Sequence, residues 1–237
     1  MSSKSLKFAV IVPVYNGQDY LVDCLESIKG QKYNNFQLII VDNESTDNSI
    51  EILKNYKHIT SNNIYKYTWD DAVEEAFKIF DEDVDYFTII ACDDIIEDNY
   101  LQNLNDILTK RSVDLLQTPV RCFGASNAEI GYKYNSLDEY KNLLLSKCCV
   151  TTPSVVYSVK FKEDWWARPD EFAGASDYYR YLNYLYKYNS IVVPFQKFIG
   201  YKYRIHKSQC TWGMHRDYPQ IDKEIQKYFS EKWSNNE

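Results

Sequence analysis

Glycine is scarce in this chain, with 7 in 237 residues. The two loops that hold phosphate through flexible backbone are missing with it. No GxGxxG follows the first apolar run, and no GxxxxGK(S/T) motif occurs. A phosphorylated ligand would need positive charge from elsewhere, such as a metal ion. Basic residues are in deficit too: 27 Lys and Arg face 34 Asp and Glu, for a net charge of −7. That balance argues against a general nucleic-acid binder, which needs a basic face. It leaves room for a nucleotide bridged by a metal. The six cysteines contain no CxxC pair, and the neighbours Cys148 and Cys149 do not easily bridge. A reduced, cytoplasmic protein without structural disulfides is expected, with Cys24 and Cys92 as small core residues. Long hydrophobic runs are also lacking. Residues 1–7 are short and polar, and the apolar run from Phe8 is interrupted at Pro13. Nothing approaches the roughly 18 apolar residues of a membrane span. The expectation is a soluble protein, with peripheral contact at a membrane surface left open.

What is present is a sizeable core: 45% of residues are hydrophobic, and the aromatics include 22 tyrosines. Phe8-Ala9-Val10-Ile11-Val12-Pro13-Val14 and Phe36-Gln37-Leu38-Ile39-Ile40-Val41 are runs of strand length. Between them Leu21, Leu25 and Ile28 recur with helical spacing, and Ile50 and Leu53 open a further stripe. This order predicts βαβ units and a mostly parallel sheet flanked by helices. Residues 65–67 give a weak third strand, 70–80 a helix, 86–92 a buried strand, and Leu101 to Leu108 another helix. In the second half, strands are expected over 114–118, 154–157 and 191–193, with helices over 136–147 and 177–188. Ile221, Ile225, Phe229 and Trp233 recur at four-residue steps as a strong amphipathic helix. The last three residues should fray. No linker or repeat divides the chain, so 1–237 reads as one unit.

Asp93-Asp94 ends the strand over 86–92. Strand ends are where open α/β sheets place ligand chemistry. Adjacent carboxylates repel, and they are most easily tolerated where a hard divalent cation sits between them and a phosphate. An acidic helix start explains them equally well, since Glu97 and Asp98 follow.

Ala9 to Asn16, then Tyr20-Leu21 with Cys24 to Ile28, then Ile39 to Asp47, together resemble the inverting family 2 glycosyltransferases of GT-A fold. The resemblance is dense to about residue 55. It returns at Asp93-Asp94, at Ser176-Asp177-Tyr178 and at Tyr203-Arg204-Ile205-His206. It implies an α/β GT-A domain with a nucleotide-binding half (1–110) and an acceptor-binding half (111–237) closed by the C-terminal helix. It implies transfer of a sugar from a nucleotide-sugar, expected to be a UDP-sugar, in glycan or polysaccharide synthesis. The acceptor hydroxyl would belong to a glycan, a lipid-linked molecule or a protein. By the resemblance, Pro13, Tyr15, Asn16, Asp42 and Asp93 hold the nucleotide. Asp93, Asp94 and His206 are the candidate ligands of Mg²⁺ or Mn²⁺, and Asp177 is the general base. Arg204 or Lys207 would offset phosphate charge, and His215 is a lesser candidate for the same region.

Three departures from the family pattern matter. Ala91 stands where the first Asp of the DxD motif often lies. Trp69-Asp70 replaces an Arg-Asn pair, and Ser176 replaces a Glu. Trp69 could stack on a ring or belong to the core, and the same holds for Trp165-Trp166. His58, in a polar stretch, is expected in solvent. A sugar-phosphate nucleotidyltransferase would carry a Gly-rich basic loop after the first strand, which Pro13-Val14-Tyr15-Asn16 is not. A non-catalytic nucleotide-sugar binder of the same fold is the alternative that Ala91 and Trp69 keep open.

Overall fold

The computed structural model describes residues 5–62, 69–209 and 218–234. Strands β1 (Phe8–Val14) and β2 (Phe36–Asp42) pair in parallel, from Phe8 opposite Phe36 to Val14 opposite Asp42. All of β1 is buried because its alternate side chains enter two different cores. Ala9 and Ile11 join Ile39, Val41 and Phe87 on one face, while Phe8, Val10 and Val12 join Leu25 and Ile40 on the other. Helix α1 (Leu21–Lys29) connects the two strands and buries Leu21, Cys24, Leu25 and Ile28, the 3- and 4-residue steps of one helix face.

The chain continues through α2 (Ser49–Leu53), β3 (His58–Thr60), α3 (Asp70–Phe77), β4 (Tyr86–Ile89), β5 (Ile95–Ile96) and α4 (Tyr100–Leu108). Then come β6 (Leu115–Gln117), β7 (Val120–Gly124), β8 (Glu129–Ile130), α5 (Leu137–Ser146) and β9 (Val155–Ser158). It ends with α6 (Ser176–Tyr188), β10 (Val192–Pro194), β11 (Tyr201–Ile205) and α7 (Tyr218–Ser234). Among the described residues the main sheet has seven strands in the order β10-β6-β9-β4-β1-β2-β3. Only β9 runs antiparallel, between β4 and β6. This is the mostly parallel α/β sheet expected from the alternating pattern.

A second sheet, β5-β11-β7-β8, was not expected. Its strands are short, and β11 pairs with β5 and β7 from far along the chain. Period-2 alternation within 2 to 5 residues gives little signal, so residues 203–206 read as a loop. At Gly124 a side chain is excluded outright. Its φ is +87°, and a Cβ there would lie 2.8 Å from the Ile205 carbonyl oxygen.

Other differences are local. The strand beside β2 is His58–Thr60, and the expected strand at 65–67 lies outside the described residues, as do His215 and the last three positions. His58 is half-buried rather than solvated, with Nδ1 3.0 Å from the Tyr56 carbonyl oxygen. Trp165 is core, 2% exposed. Helix α3 stops at Phe77 instead of Phe80. Among the described residues no helix is long and apolar enough to cross a membrane.

Phe87 of β4 stands at the centre of an aromatic group. Its ring stacks on Tyr157 at 5.0 Å and meets Phe77 at 5.1 Å and Trp165 at 5.7 Å. Phe87→Ala should cost about 3–5 kcal/mol, because the rigid neighbours leave a cavity. The midpoint of urea unfolding should fall accordingly; an unchanged midpoint would mean that the ring contributes nothing to the core.

Candidate active site

The C-terminal ends of β1 and β2 are joined by a set of short polar bridges. The backbone N–H groups of Asn16, Gly17 and Gln18 donate to Ser45 Oγ, Ser49 Oγ and Asp47 Oδ2 at 3.0, 2.9 and 3.0 Å. In return, Asn16 Oδ1 accepts from the Thr46 N–H at 2.7 Å, and Gln18 Oε1 from the Asn48 N–H at 2.9 Å. Asn16 and Glu44 adopt left-handed backbone, φ 51° and 60°, which Asn tolerates better than most residues. The residues of the Asn43-to-Asp47 turn are thus largely used in holding the two loops together.

These loops form one wall of a cavity of about 680 Å³. Pro13, Tyr15 and Asn16 line it, with Tyr15 36% exposed. Asp42 does not line it. It is buried at the end of β2, where Oδ2 accepts from the Ser45 N–H at 3.3 Å. Asp42 Oδ1 finds no hydrogen-bond partner among the described residues. Its neighbour Asn43 reaches the cavity instead.

Beyond β4 the two adjacent carboxylates part company. Asp93 faces the cavity, and its Oδ2 accepts from His206 Nε2 at 2.9 Å. His206 Nδ1 lies 2.9 Å from Ser208 Oγ, and the imidazole packs on Tyr20, ring centres 4.5 Å apart. Asp94 is fully buried and turned away. Its Oδ1 accepts from the Arg204 N–H and its Oδ2 from the Tyr201 hydroxyl, both at 2.7 Å. Burial first, then the Asp93 charge, push its carboxyl well above the usual carboxylate range. Both oxygens are engaged by β11, so Asp94 fastens the second sheet to the first and is not presented as a ligand. The expectation of Asp94 beside Asp93 at a metal is corrected on that ground. Arg204 likewise acts as a strut. Its Nε donates to the Asp93 carbonyl at 2.7 Å, and its guanidinium lies between the rings of Tyr20 and Phe123. Lys207 is exposed.

The opposite part of the chain supplies Asp177. It stands in the first turn of α6, where the helix dipole favours a carboxylate, and it lines the same cavity. Thr152 Oγ1 donates to its Oδ2 and the Tyr178 N–H to its Oδ1, each at 2.8 Å. Thr152, Pro153, Tyr132, Gly174 and Trp69 line the same cavity. The charged lining groups among the described residues are Asp19, Asp93 and Asp177, with His206 as the one titratable base and no Lys or Arg. Periodicity and motif had no means of pointing to Tyr132, which reaches the cavity after a two-residue strand. Cys92, expected in the core, lines the cavity as well.

The family model described as Glycosyl transferase family 2 matches residues 9–209. The chain belongs to this family. Among curated relatives, glycosyltransferase GlyG of Streptococcus pneumoniae is 32% identical over 112 residues, 46% of this chain and 37% of that protein. The minor teichoic acid biosynthesis protein GgaB of Bacillus subtilis is 26% identical over 182 residues, 69% of this chain and 20% of that protein. The chain therefore spans well under half the length of these relatives. The crystal structure of S. aureus TarS 1–349 in complex with UDP-GlcNAc superposes with a TM-score of 0.65 at 17% identity, over 93% of this chain and 65% of that one. That likeness establishes the GT-A-type fold.

One carboxylate of this family 2 domain had no signal in the motif. Asp222, on α7, is half-buried, and burial together with the Asp177 charge pushes its carboxyl up to about 6. The folded state thus holds this proton more tightly than the unfolded chain, whose carboxyl titrates near 3.8. The resulting stabilisation is complete below pH 3.8 and lost as pH rises through about 6. Asp222→Asn should match the wild type near pH 4 and melt higher above pH 6. After allowance for solvent screening the gain is about 1 kcal/mol, or roughly 2–4 °C in Tm. Melting curves across that range check it; a difference independent of pH would be contrary.

Proposed function

We propose that this domain transfers a sugar from a UDP-sugar to an acceptor hydroxyl with inversion at the anomeric carbon, in the synthesis of a glycan or cell-surface polysaccharide. The observation that carries this reading is that Asp93 from residues 1–110 and Asp177 and His206 from residues 111–237 line a single cavity, with His206 beside Asp93. The names of the relatives, and the UDP-GlcNAc held by TarS, support the donor class and the biosynthetic setting.

Tyr15 offers its ring to the base, and the unpartnered Oδ1 of Asp42 is an acceptor held ready behind the cavity wall. Residues 1–110 would form the nucleotide half and 111–237 the acceptor half. A diphosphate entering a cavity lined by three carboxylates needs compensating charge. Asp93 Oδ2 and His206 Nε2, 2.9 Å apart and half-open to the cavity, fit a site for Mg²⁺ or Mn²⁺. No described group of three or more acidic, His or Cys side chains forms a closed cage. Asp93 and His206 would hold such an ion, and it would supply positive charge against the departing nucleoside diphosphate.

The chain's own residues account for the rest. Thr152 and the Tyr178 N–H fix the Asp177 carboxylate. Asp177 takes the acceptor proton as the hydroxyl oxygen attacks the anomeric carbon, and the bond from that carbon to the diphosphate breaks on the opposite face. Trp69 and Tyr132 provide aromatic faces for an acceptor sugar ring.

A screen of UDP-sugars by UDP release, with Mn²⁺ and candidate acceptors, tests this. Asp177→Asn should lower kcat about 10²–10⁴-fold with UDP binding preserved. Asp93→Asn should weaken Mn²⁺-dependent UDP binding as well as turnover. Binding of UDP without release from any UDP-sugar, and no effect of Asp177→Asn, would instead identify a non-catalytic binder.

A further inference from the structure

Asp70 is buried with 0% exposure, at the start of α3. Two arginines converge on it. Arg180 Nη2 lies 2.5 Å from its Oδ1, and Arg168 Nε lies 3.6 Å from its Oδ2. Both guanidinium side chains are 2% exposed. The Arg180 guanidinium also lies over the Trp165 ring, 3.6 Å from its centre, which helps to fix its position. Burial works against the charge on Arg180, but Asp70 together with Tyr184, Tyr157 and Tyr181 raises its pKa overall, so Arg180 is charged.

Such a pair is a poor way to gain stability. Two ions leave water, and Arg180 Nε and Nη1 find no hydrogen-bond partner among the described residues. Apolar residues of similar volume would generally hold the same site at least as well. What the pair does supply is geometry, and each of its members sits next to a cavity residue. Asp70 follows Trp69 directly. Arg180 is three residues beyond Asp177 on α6, one turn along the same face. Arg168 precedes the 3₁₀ segment Asp170–Ala175, which brings Gly174 to the cavity. Three separate pieces of one wall are therefore tied to a single carboxylate.

We propose that the Asp70–Arg180 pair, with Arg168, is a positioning device that sets the Asp177 base and the Trp69 face in register with each other. This rests on the glycosyl-transfer reading for its kinetic consequence, but not for its structural one. The pair touches no substrate; it acts through the residues it anchors. Its loss should leave donor binding on the β1–β2 side intact and impair transfer to the acceptor.

The test is the double variant Asp70→Leu/Arg180→Met, in which the closer pair is removed as a unit while Arg168 keeps its place over the Trp166 ring. It should melt closer to the wild type than Arg180→Met alone. In the double variant, kcat for transfer should fall about tenfold or more, with KM for the donor within about twofold. Amide hydrogen exchange should quicken over 69–73 and 174–178 and stay unchanged in β1. A stable double variant with wild-type kcat and wild-type exchange overturns the proposal. If the double variant does not fold, Arg180→Lys decides. It keeps the charge but lacks the planar fork against Trp165, so kcat should again fall at constant donor KM; an unaltered kcat is the contrary result. Should the wild type itself release no UDP from any UDP-sugar, the transfer reading has failed, and the exchange comparison alone decides the positioning role.

Discussion

The cavity depends on one carboxylate that never reaches it. Asp94 has no exposure, and its two oxygens are engaged by β11, one by the Arg204 backbone and one by the Tyr201 hydroxyl. The same tyrosine oxygen accepts from the Ala91 N–H at 3.2 Å, so the end of β4 and the second sheet are joined from both directions. A buried acceptor left unmatched is costly, and here every oxygen has a donor. The result is that His206, beyond the end of β11, arrives at Asp93. Adjacent acidic residues at a strand end thus divide the work, one holding the scaffold and one facing the ligand space.

A second constraint is electrostatic. The lining of the cavity carries carboxylates from three parts of the chain and no described Lys or Arg. The arginines nearest to it are spent elsewhere: Arg204 on the Asp93 carbonyl and Asp23, and Arg180 on Asp70. Negative charge held in place by backbone and hydroxyl donors favours a cation and the polyanion that comes with it. The Asp177 charge is also felt away from the lining: with burial as the larger cause, it raises the carboxyl of Asp222 on α7.

Much of this was legible in the chain itself. The runs at 8–14 and 36–41 are strands because their length and β-branched content suit burial on both faces, and the helical stripes between them leave few alternatives to a parallel sheet. The local motif at Asn43 to Asp47 is readable as a turn for the same reason: its side chains satisfy the backbone of a loop only some thirty residues away. Less legible were β5, β7, β8 and β11, whose pairing is long-range and whose segments are too short to display a period. Trp165 was open in the sequence, and His58, expected in solvent, is half-buried. An aromatic or a histidine in a polar neighbourhood carries no label for the side on which it packs.

The sequence by itself determined the sheet, the order of its elements and the residue types that gather at the strand ends, because these follow from periodicity and from turn chemistry within a few residues. Only the tertiary structure decided which of Asp93 and Asp94 faces the cavity. It likewise decided that Asp42 stands behind the wall, and that Asp177 meets Thr152 while Arg180 meets Asp70. For Asp94, Asp177 and Asp70 those outcomes depend on which donors arrive from more than twenty residues away, and the destination of a carboxylate is set by the partners that can satisfy it once buried.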